Sequence, residues 1–228
     1  MASSLLSIVI PAYNEESTLE KIVSKTLSVE FPFGFSSELI IVDDASCDKT
    51  RQIAKRLSDK YDNVTYLCNR QNLGKSRTVK KGLQSTRGSV VVVQDADLEY
   101  DPRELNKMLN LFIRNNLDIV YGNRFGKKNK VIYWQNYLGN RFLSFVSNVF
   151  TYPRLRRWIP DMEVCYKMVG GDVMRHIAKD LRSTSSFGLE PEITAKLSRY
   201  KKAGGRLKLG VVPISYKART IEEGKKIS

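Results

Sequence analysis

The chain has 228 residues, of which 42% are hydrophobic and 27% charged, and a net charge of +14 at neutral pH. These fractions are ordinary for a globular protein, and the length allows one domain with a sizeable core. Three widely spaced cysteines and a single histidine exclude a zinc site and indicate a reducing compartment. No apolar stretch approaches the roughly 20 residues that span a bilayer, and the first residues lack the basic start of a signal peptide, so we expect a soluble or peripheral protein.

The charge is distributed unevenly along the chain. Residues 1–121 contain equal numbers of basic and acidic side chains, so the whole excess lies in residues 122–228. A neutral half joined to a basic half indicates that the second half faces something anionic. Lipid headgroups, a phosphorylated substrate and nucleic acid all meet that description.

The first half alternates short apolar runs with helical patterns of roughly ten to fifteen residues, which is typical of βαβ units and a mostly parallel sheet. We predict strands at residues 5–11, 39–42, 64–67, 90–93 and 118–121. We predict helices from Asn14 or Ser17 to about Ser28, from Asp48 to about Tyr61, from about Asn72 to Thr86, and from Pro102 to Arg114.

The second half is less regular. Residues 131–152 mix aromatic side chains with Asn and Ser, and Arg154, Arg156, Arg157 and Trp158 follow. Aromatic residues at helical spacing usually belong to a core, but Trp and Arg suit the headgroup layer, so we expect residues 140–158 to form an amphipathic interfacial element. Further elements are predicted at residues 164–169 (strand), 172–181 and 192–202 (helices), and 207–216 (a strand near an edge, because it contains Pro213).

Asp95-Ala96-Asp97 follows four consecutive valines, Val90–Val93, with only Gln94 between them. Such an apolar run predicts a strand buried on both faces, and in an open α/β sheet ligands bind at the carboxyl ends of the strands. Two carboxylates there suit Mg²⁺ or Mn²⁺ holding a diphosphate. A solvated turn is the alternative, since Asp is common in turns.

Two more polar clusters follow predicted parallel strands, at residues 11–15 and 42–44. Because parallel strands bring their carboxyl ends to one edge, all three clusters should converge. Tyr13 could stack on a base, Asp43 could accept hydrogen bonds from a base or ribose, and Asp97 could reach a metal on a diphosphate.

The segments Val-Ile-Pro-Ala-Tyr-Asn-Glu-Glu, Ile-Val-Asp-Asp-Ala-Ser, Asn-Leu-Gly-Lys and Gln-Asp-Ala-Asp-Leu-Glu-Tyr resemble, in this order, those of the family 2 glycosyltransferases. The resemblance implies a GT-A fold: a Rossmann-like, open, mostly parallel sheet flanked by helices. It also implies one domain over residues 1–228, in which residues 1–125 bind a nucleotide sugar and residues 126–228 face the acceptor and the membrane.

Gly122-Asn123-Arg124-Phe125, residues 187–192 and residues 212–219 are similar to dolichyl-phosphate mannose synthases and related polyprenyl-phosphate glycosyltransferases. The two resemblances imply metal ligands at Asp95 and Asp97, acceptor-phosphate ligands at Arg124 and Arg141, and catalytic roles for Asp97, Arg124 and Arg219. The implied nucleotide-sugar ligands are Pro11, Tyr13, Glu15, Asp43, Asp95, Ala96, Asp97, Arg219 and Lys225. Residues 161–167 depart from the mannose synthase pattern, so the donor could be GDP-mannose, UDP-glucose or UDP-N-acetylglucosamine.

The resemblance implies an inverting, Mg²⁺- or Mn²⁺-dependent hexosyltransferase on the cytosolic face of a membrane, peripheral or anchored by a partner subunit, with a polyprenyl (dolichyl-type) phosphate as acceptor. Such a phosphate is already an anion and needs no strong general base.

A glycan hydroxyl acceptor would need a base, for which Asp161 or Glu163 is the candidate. The alternative for these two residues is a surface turn that pairs with Arg156 or Arg157. A basic nucleic-acid-binding protein is another alternative, but it leaves the acidic strand ends unexplained. An inactive module that binds the nucleotide without turnover is the third.

Overall fold

The computed structural model describes residues 4–127, 129, 134–185, 187–203 and 205–219. Within these ranges, seven strands form one sheet in the order β3-β2-β1-β4-β6-β5-β7. The strands are β1 (Leu5–Ala12), β2 (Ser36–Asp43), β3 (Val64–Cys68), β4 (Val90–Val93), β5 (Ile119–Asn123), β6 (Lys167–Gly170) and β7 (Leu209–Pro213).

Helices pack along this sheet, with α2 on β2 and β3, α3 on β1 and β2, α4 on β5 and β7, and α6 on β4 and β6. The helices are α1 (Leu19–Leu27), α2 (Thr50–Lys60), α3 (Lys75–Gln84), α4 (Glu104–Arg114), α5 (Trp134–Leu155), α6 (Gly171–Lys179) and α7 (Leu189–Arg199).

The pairing of the strands is mostly parallel, as the alternation of strands and helices predicts. β1 pairs in parallel with β2 and β4, β2 with β3, and β5 with β7, while β6 runs antiparallel between β4 and β5. The four valines of β4 are at most 4% exposed, which confirms a strand buried on both faces. The final strand lies at an edge of the sheet, also as predicted.

Several predicted boundaries are wrong by a few residues. The helix predicted at 192–202 begins at Leu189, because Pro191 is accommodated in its first turn, where a missing N–H costs nothing. The strand predicted at 164–169 is shorter and shifted, since only Lys167–Gly170 pairs with β4 and β5.

Helix α5 has a polar side turned toward the protein and an apolar side turned outward. Its buried residues are Ser144, Asn148, Thr151 and Leu155, which recur at helical spacing. The side chain of Asn148 is satisfied, because it donates to the carbonyls of Ser144 and Ile159 and accepts from the Ile159 N–H. Aromatic residues such as Phe142 and Phe150, each 66% exposed, lie outside. The alternative that these aromatic residues belong to the core is therefore wrong, and their outward position agrees with the expected amphipathic element.

No helix in the described part of the chain combines the length and the apolar character needed to cross a bilayer.

The loops after β1, β2 and β4 each contain a non-glycine residue in the left-handed region: Asn14 (φ 51°), Ala45 (φ 59°) and Leu98 (φ 64°). The left-handed conformation is energetically costly for residues other than glycine. It tends to occur where a binding site requires a particular backbone shape. All three loops lie at the carboxyl edge of the sheet.

Close packing of α3 on the sheet provides a test of the fold. A Cβ at Gly82 would lie 2.3 Å from Cγ1 of Val9 in β1. Gly82→Ala should therefore lower the free energy of unfolding by about 1–3 kcal/mol through overpacking. A Cβ at Gly139 in α5 would meet no neighbouring group within 4 Å, so Gly139→Ala should raise it by up to about 1 kcal/mol through helix propensity. Chemical denaturation of both variants checks the pair, and equal effects of the two substitutions would contradict this packing.

Candidate active site

The loops after β1 and β2 place Tyr13, Glu15 and Asp43 side by side at the carboxyl edge. Asp43 is fully buried and accepts hydrogen bonds from the Ser46 N–H (3.1 Å) and Arg51 Nε (3.3 Å). The Glu15 N–H donates to Thr50 at the start of α2 (2.7 Å), which fixes the first loop against the second. Tyr13 is 37% exposed at the same edge. The predicted convergence of the β1 and β2 clusters is confirmed.

Asp44, beside Asp43, holds the loop that leads into α3. Its carboxylate accepts from the N–H groups of Leu73 (2.9 Å) and Gly74 (2.8 Å), and Gly74 takes the left-handed conformation (φ 82°) that glycine permits. Helix α3 then begins at Lys75, whose ammonium lies 2.6 Å from Oδ1 of Asp95. Burial lowers the pKa of Lys75, but the neighbouring carboxylates, Asp95 first, raise it above its ordinary value. Lys75 is therefore a fixed cation beside the first aspartate of the Asp95-Ala96-Asp97 triplet.

Asp97, the second aspartate of the triplet, is surrounded by other carboxylates. Burial, and then the carboxylates of Asp95 and Glu99, raise the pKa of Asp97 to about 7. The guanidinium of Arg219 lies between Asp97 and Glu15, with 3.7 Å from Nη2 to Asp97 Oδ2 and 3.7 Å from Nη1 to Glu15 Oε2. Its Nε is buried and has no hydrogen-bond partner among the described residues. Arg219 is thus loosely held, with a donor to spare.

Glu99 ties the segment that carries Arg219 to the triplet. Its carboxylate accepts from the Arg219 N–H (2.7 Å) and the Tyr216 hydroxyl (2.7 Å). The Tyr216 ring also lies 5.1 Å from that of Tyr100. These contacts bring a residue near the end of the described chain over the ends of β1 and β4.

The residues at this edge suit a hard divalent cation that a ligand helps to hold. Asp95 and Asp97 supply the oxygen ligands that Mg²⁺ and Mn²⁺ prefer. Burial and then repulsion by Asp95 and Glu99 raise the pKa of Asp97, and a cation would relieve that repulsion. Across the described ranges, however, no three His, Cys, Asp or Glu side chains form a group ready to hold a metal. Because Mg²⁺ is commonly held by one or two carboxylates plus substrate phosphates, a diphosphate would complete such a site.

A second arginine centre lies at the end of β5. Arg124 donates to Asp161 through Nε (2.8 Å) and Nη2 (2.7 Å), and its own N–H also donates to that carboxylate (3.0 Å). The guanidinium groups of Arg124 and Arg141 lie over the ring of Phe125, at 5.9 Å and 5.6 Å. Arg124 is 12% exposed and keeps further N–H donors, because a guanidinium has five. The structure thus brings together the two arginines predicted to bind an acceptor phosphate.

Asp161 is fully buried and bound to Arg124, so the interpretation of this residue as a surface turn paired with Arg156 or Arg157 is wrong. Glu163 is half-buried, and its carboxylate makes no hydrogen bond within the described residues. Burial raises the pKa of Glu163, Lys167 lowers it, and Glu190, which forms a buried ion pair with Lys167, raises it further. Of the two candidate bases, Glu163 is therefore the one whose carboxylate is not already engaged.

The remaining predicted residues are placed as follows. Pro11 is half-buried near the end of β1. Ala96, which stands between the two aspartates in the sequence, is 4% exposed and belongs to the core. Lys225 lies outside the described residues. Sequence reasoning assigned no role to Lys75 or Glu99; the Asn-Leu-Gly-Lys motif and the spacing of Glu99 two residues after Asp97 were the available signals.

Comparisons with known proteins identify the family of this chain. A family model described as glycosyl transferase family 2 matches residues 7–177. A dolichol-phosphate mannosyltransferase of Pyrococcus furiosus is 36% identical over 132 residues, which are 58% of this chain and 36% of that protein. A dolichyl-phosphate beta-glucosyltransferase of Trichomonas vaginalis is 35% identical over 132 residues, 54% of this chain and 41% of that protein. The matches thus span well under half of these curated relatives.

Solved structures share the fold at low sequence identity. A mannosyltransferase from Pyrobaculum calidifontis, in complex with GDP-Man and Mn²⁺, has a TM-score of 0.61 at 17% identity and covers 92% of this chain and 56% of that one. Glucosyl-3-phosphoglycerate synthase from Mycobacterium tuberculosis, in complex with Mn²⁺ and UDP, has a TM-score of 0.61 at 18% identity, over 96% of this chain and 74% of that one. The predicted GT-A fold is confirmed.

The raised pKa of Asp97 predicts an unusual pH dependence of stability. An unfolded Asp titrates near its ordinary value of about 3.9, whereas Asp97 titrates at about 7 in the folded protein. Between these values the folded state binds more protons, so stability falls as pH rises toward 7. In metal-free buffer, Asp97→Asn should gain roughly 2 kcal/mol in unfolding free energy over the wild type between pH 5 and about 7.5.

Asp101→Asn is the matched control for this measurement. Its hydrogen bonds with Arg103 lower the pKa of Asp101, so it stays ionised over this range. Its difference from the wild type should then be constant with pH. A constant difference for Asp97→Asn as well would show that the Asp97 carboxylate titrates normally.

Proposed function

The chain belongs to glycosyl transferase family 2, and we propose that it transfers a hexose from a nucleotide sugar to a polyprenyl phosphate with inversion at the anomeric carbon. One observation carries the proposal. Two centres suited to phosphate, the Asp95–Asp97–Arg219 edge and the Arg124–Arg141 pair, lie at the carboxyl ends of strands of one sheet, and the second adjoins an exposed apolar helix. Two anionic substrates, one of them a lipid, require such an arrangement.

On the donor side, Tyr13 and Asp43 would bind the nucleoside, and Asp95 and Asp97 would hold Mg²⁺ or Mn²⁺. The cation would neutralise charge on the leaving diphosphate. Arg219, whose buried Nε has no hydrogen-bond partner in the described part of the chain, would donate to the same diphosphate. Lys75 keeps Asp95 oriented through their 2.6 Å contact.

On the acceptor side, Arg124 and Arg141 would bind the attacking phosphate and overcome its repulsion by the donor. Asp161 holds Arg124 from behind with two hydrogen bonds between the side chains, so its carboxylate serves to orient that arginine. An orienting role for Asp161 favours an acceptor that brings its own negative charge over one whose hydroxyl proton must be removed.

Helix α5 would lie in a membrane surface that supplies the acceptor. Its outward side carries large apolar residues that are at least 36% exposed, namely Trp134, Leu138, Phe142, Leu143, Phe145, Val146, Val149, Phe150 and Tyr152. The Tyr137 ring packs edge-on against Phe125 (5.1 Å), so the start of the helix adjoins the acceptor centre. A broad apolar face with flanking arginines is typical of interfacial helices. We propose that the protein acts on the cytosolic side of that membrane. It would bind there either by itself or with the help of a membrane-anchored partner subunit.

Transfer assays with polyprenyl phosphate and labelled GDP- and UDP-sugars test the reaction. Transfer should require Mg²⁺ or Mn²⁺, and Asp97→Ala should lower its rate by about a hundredfold or more. Glu163→Gln should stay within about tenfold of the wild type, since a phosphate anion needs no base. If the acceptor were a glycan hydroxyl, Glu163→Gln would instead lose about 10²–10⁴-fold. Failure of every nucleotide sugar to raise the melting temperature, with or without metal, would exclude the proposed reaction.

Vesicle flotation tests the role of α5. Phe142→Glu should weaken binding to bilayers by about tenfold or more, because burying a Phe is worth about 1.5–3 kcal/mol. The side chain is 66% exposed, so folding stability should change little. Phe33→Glu, at a residue 48% exposed outside α5, introduces the same charge as a control. Equal losses for both variants would argue against docking through this helix.

A further inference from the structure

A basic pocket lies at the end of α5 opposite to the acceptor centre. It has a volume of about 630 Å³ and is formed by the last residues of α5, the end of α7 and residues 205–207. Among the residues that the structure describes, five cationic side chains and no carboxylate line it: Arg154, Arg199, Lys201, Lys202 and Arg206.

The positive charge of this pocket is mostly uncompensated. Lys202 pairs with Asp118 (2.6 Å), but no ion pair joins any of the other four to a described residue within 4 Å. Arg154 donates to the carbonyl of Phe150 (2.9 Å), and α7 also ends here, so some of these cations offset the partial negative charge of helix C-termini. Two helix ends carry about −0.5 charge each, which leaves about three positive charges without a counterion.

The pocket is continuous with the apolar side of α5, and this continuity identifies the kind of ligand. Arg154 belongs to α5 itself, and Phe150, one turn earlier, is 66% exposed. Beyond the helix, Arg156 and Arg157 are exposed and Trp158 is 47% exposed. Apolar side chains next to arginines and a tryptophan match the boundary between acyl chains and headgroups. Nucleic acid would also neutralise the arginines, but it would leave the adjoining apolar side of α5 in water.

We propose that this pocket binds the phosphate of an anionic lipid headgroup and so anchors the C-terminal end of α5, while the other end of the helix adjoins the acceptor centre. The inference rests on the membrane docking included in the proposed function. It adds a second, headgroup-specific contact at the far end of α5, where Arg154 lies 13 residues, or roughly 20 Å along the helix, beyond Arg141. With both ends held, α5 would lie along the surface with its apolar side down.

The test compares two triple variants of the full chain that lose the same charge. The pocket variant is Arg199→Gln, Lys201→Met and Arg206→Gln. The control is Lys55→Met, Arg77→Gln and Arg182→Gln, at exposed residues outside the pocket and outside both phosphate centres. Flotation is measured on phosphatidylcholine vesicles with and without phosphatidic acid.

The pocket variant should bind phosphatidic acid vesicles about a hundredfold more weakly than the control does, since each of its three lost cations contributes about 1 kcal/mol near an anionic surface and about 1.4 kcal/mol is a factor of ten. On pure phosphatidylcholine the two variants should bind alike, because the apolar side of α5 is intact. Equal losses on phosphatidic acid would mean that net charge alone attracts the protein, and would overturn the pocket.

Two further arms separate the sources of phosphate and the two proposals. Short-chain phosphatidic acid should raise the melting temperature of the wild type and not of the pocket variant; an equal shift with inorganic phosphate would show a free-anion site and overturn the lipid assignment. Salt-sensitive RNA binding lost only in the pocket variant would overturn it too.

Stabilisation by nucleotide sugars with Mn²⁺ should be the same in the wild type and in both triple variants. Its absence would refute the proposed reaction while leaving the headgroup result standing.

Discussion

Mutual repulsion of carboxylates at one edge of the sheet is the constraint on which the rest of this structure depends. Three parallel strands end in acidic residues, and parallel pairing brings those ends together. Burial, and then the carboxylates of Asp95 and Glu99, raise the pKa of Asp97, because both disfavour a further negative charge there. Cations from three separate parts of the chain offset this negative charge: Arg51 from α2, Lys75 from α3 and Arg219 from the last described segment.

Arg219 shows how far the site depends on the whole domain. The family match ends at residue 177, yet Arg219 lies between Glu15 and Asp97. Glu99 makes this possible, since its carboxylate accepts from the main chain of Arg219 and from Tyr216. Arg219 and Asp97 are 3.7 Å apart, so their charges neutralise each other only in part. A diphosphate with its cation would complete the neutralisation of both.

Helix α5 reverses the usual arrangement of a surface helix. Its inward residues are satisfied by hydrogen bonds, such as those of Asn148, so the fold does not need its apolar side. Leaving several large apolar side chains in water has a cost that a partner surface would recover. Arg124 and Arg141, for which we propose phosphate binding, lie near the first half of α5, and the basic pocket lies at its end. Both fit a partner surface that is anionic as well as apolar.

The amino-acid sequence by itself determined the fold class, the five strands of the first half and the convergence of Tyr13, Asp43 and Asp97. These follow from local patterns: apolar runs mark buried strands, and parallel strands share an edge. Tertiary structure alone decided which charges meet. Asp44 holds the loop before Lys75, whose ammonium contacts Asp95, and Asp161 binds Arg124 instead of lying on a surface turn. The tertiary structure also decided that the aromatic residues of α5 face outward. Periodicity shows which residues share one side of a helix, but not whether that side faces the core or the solvent. Contacts between residues far apart in sequence depend on packing, and no local pattern encodes them.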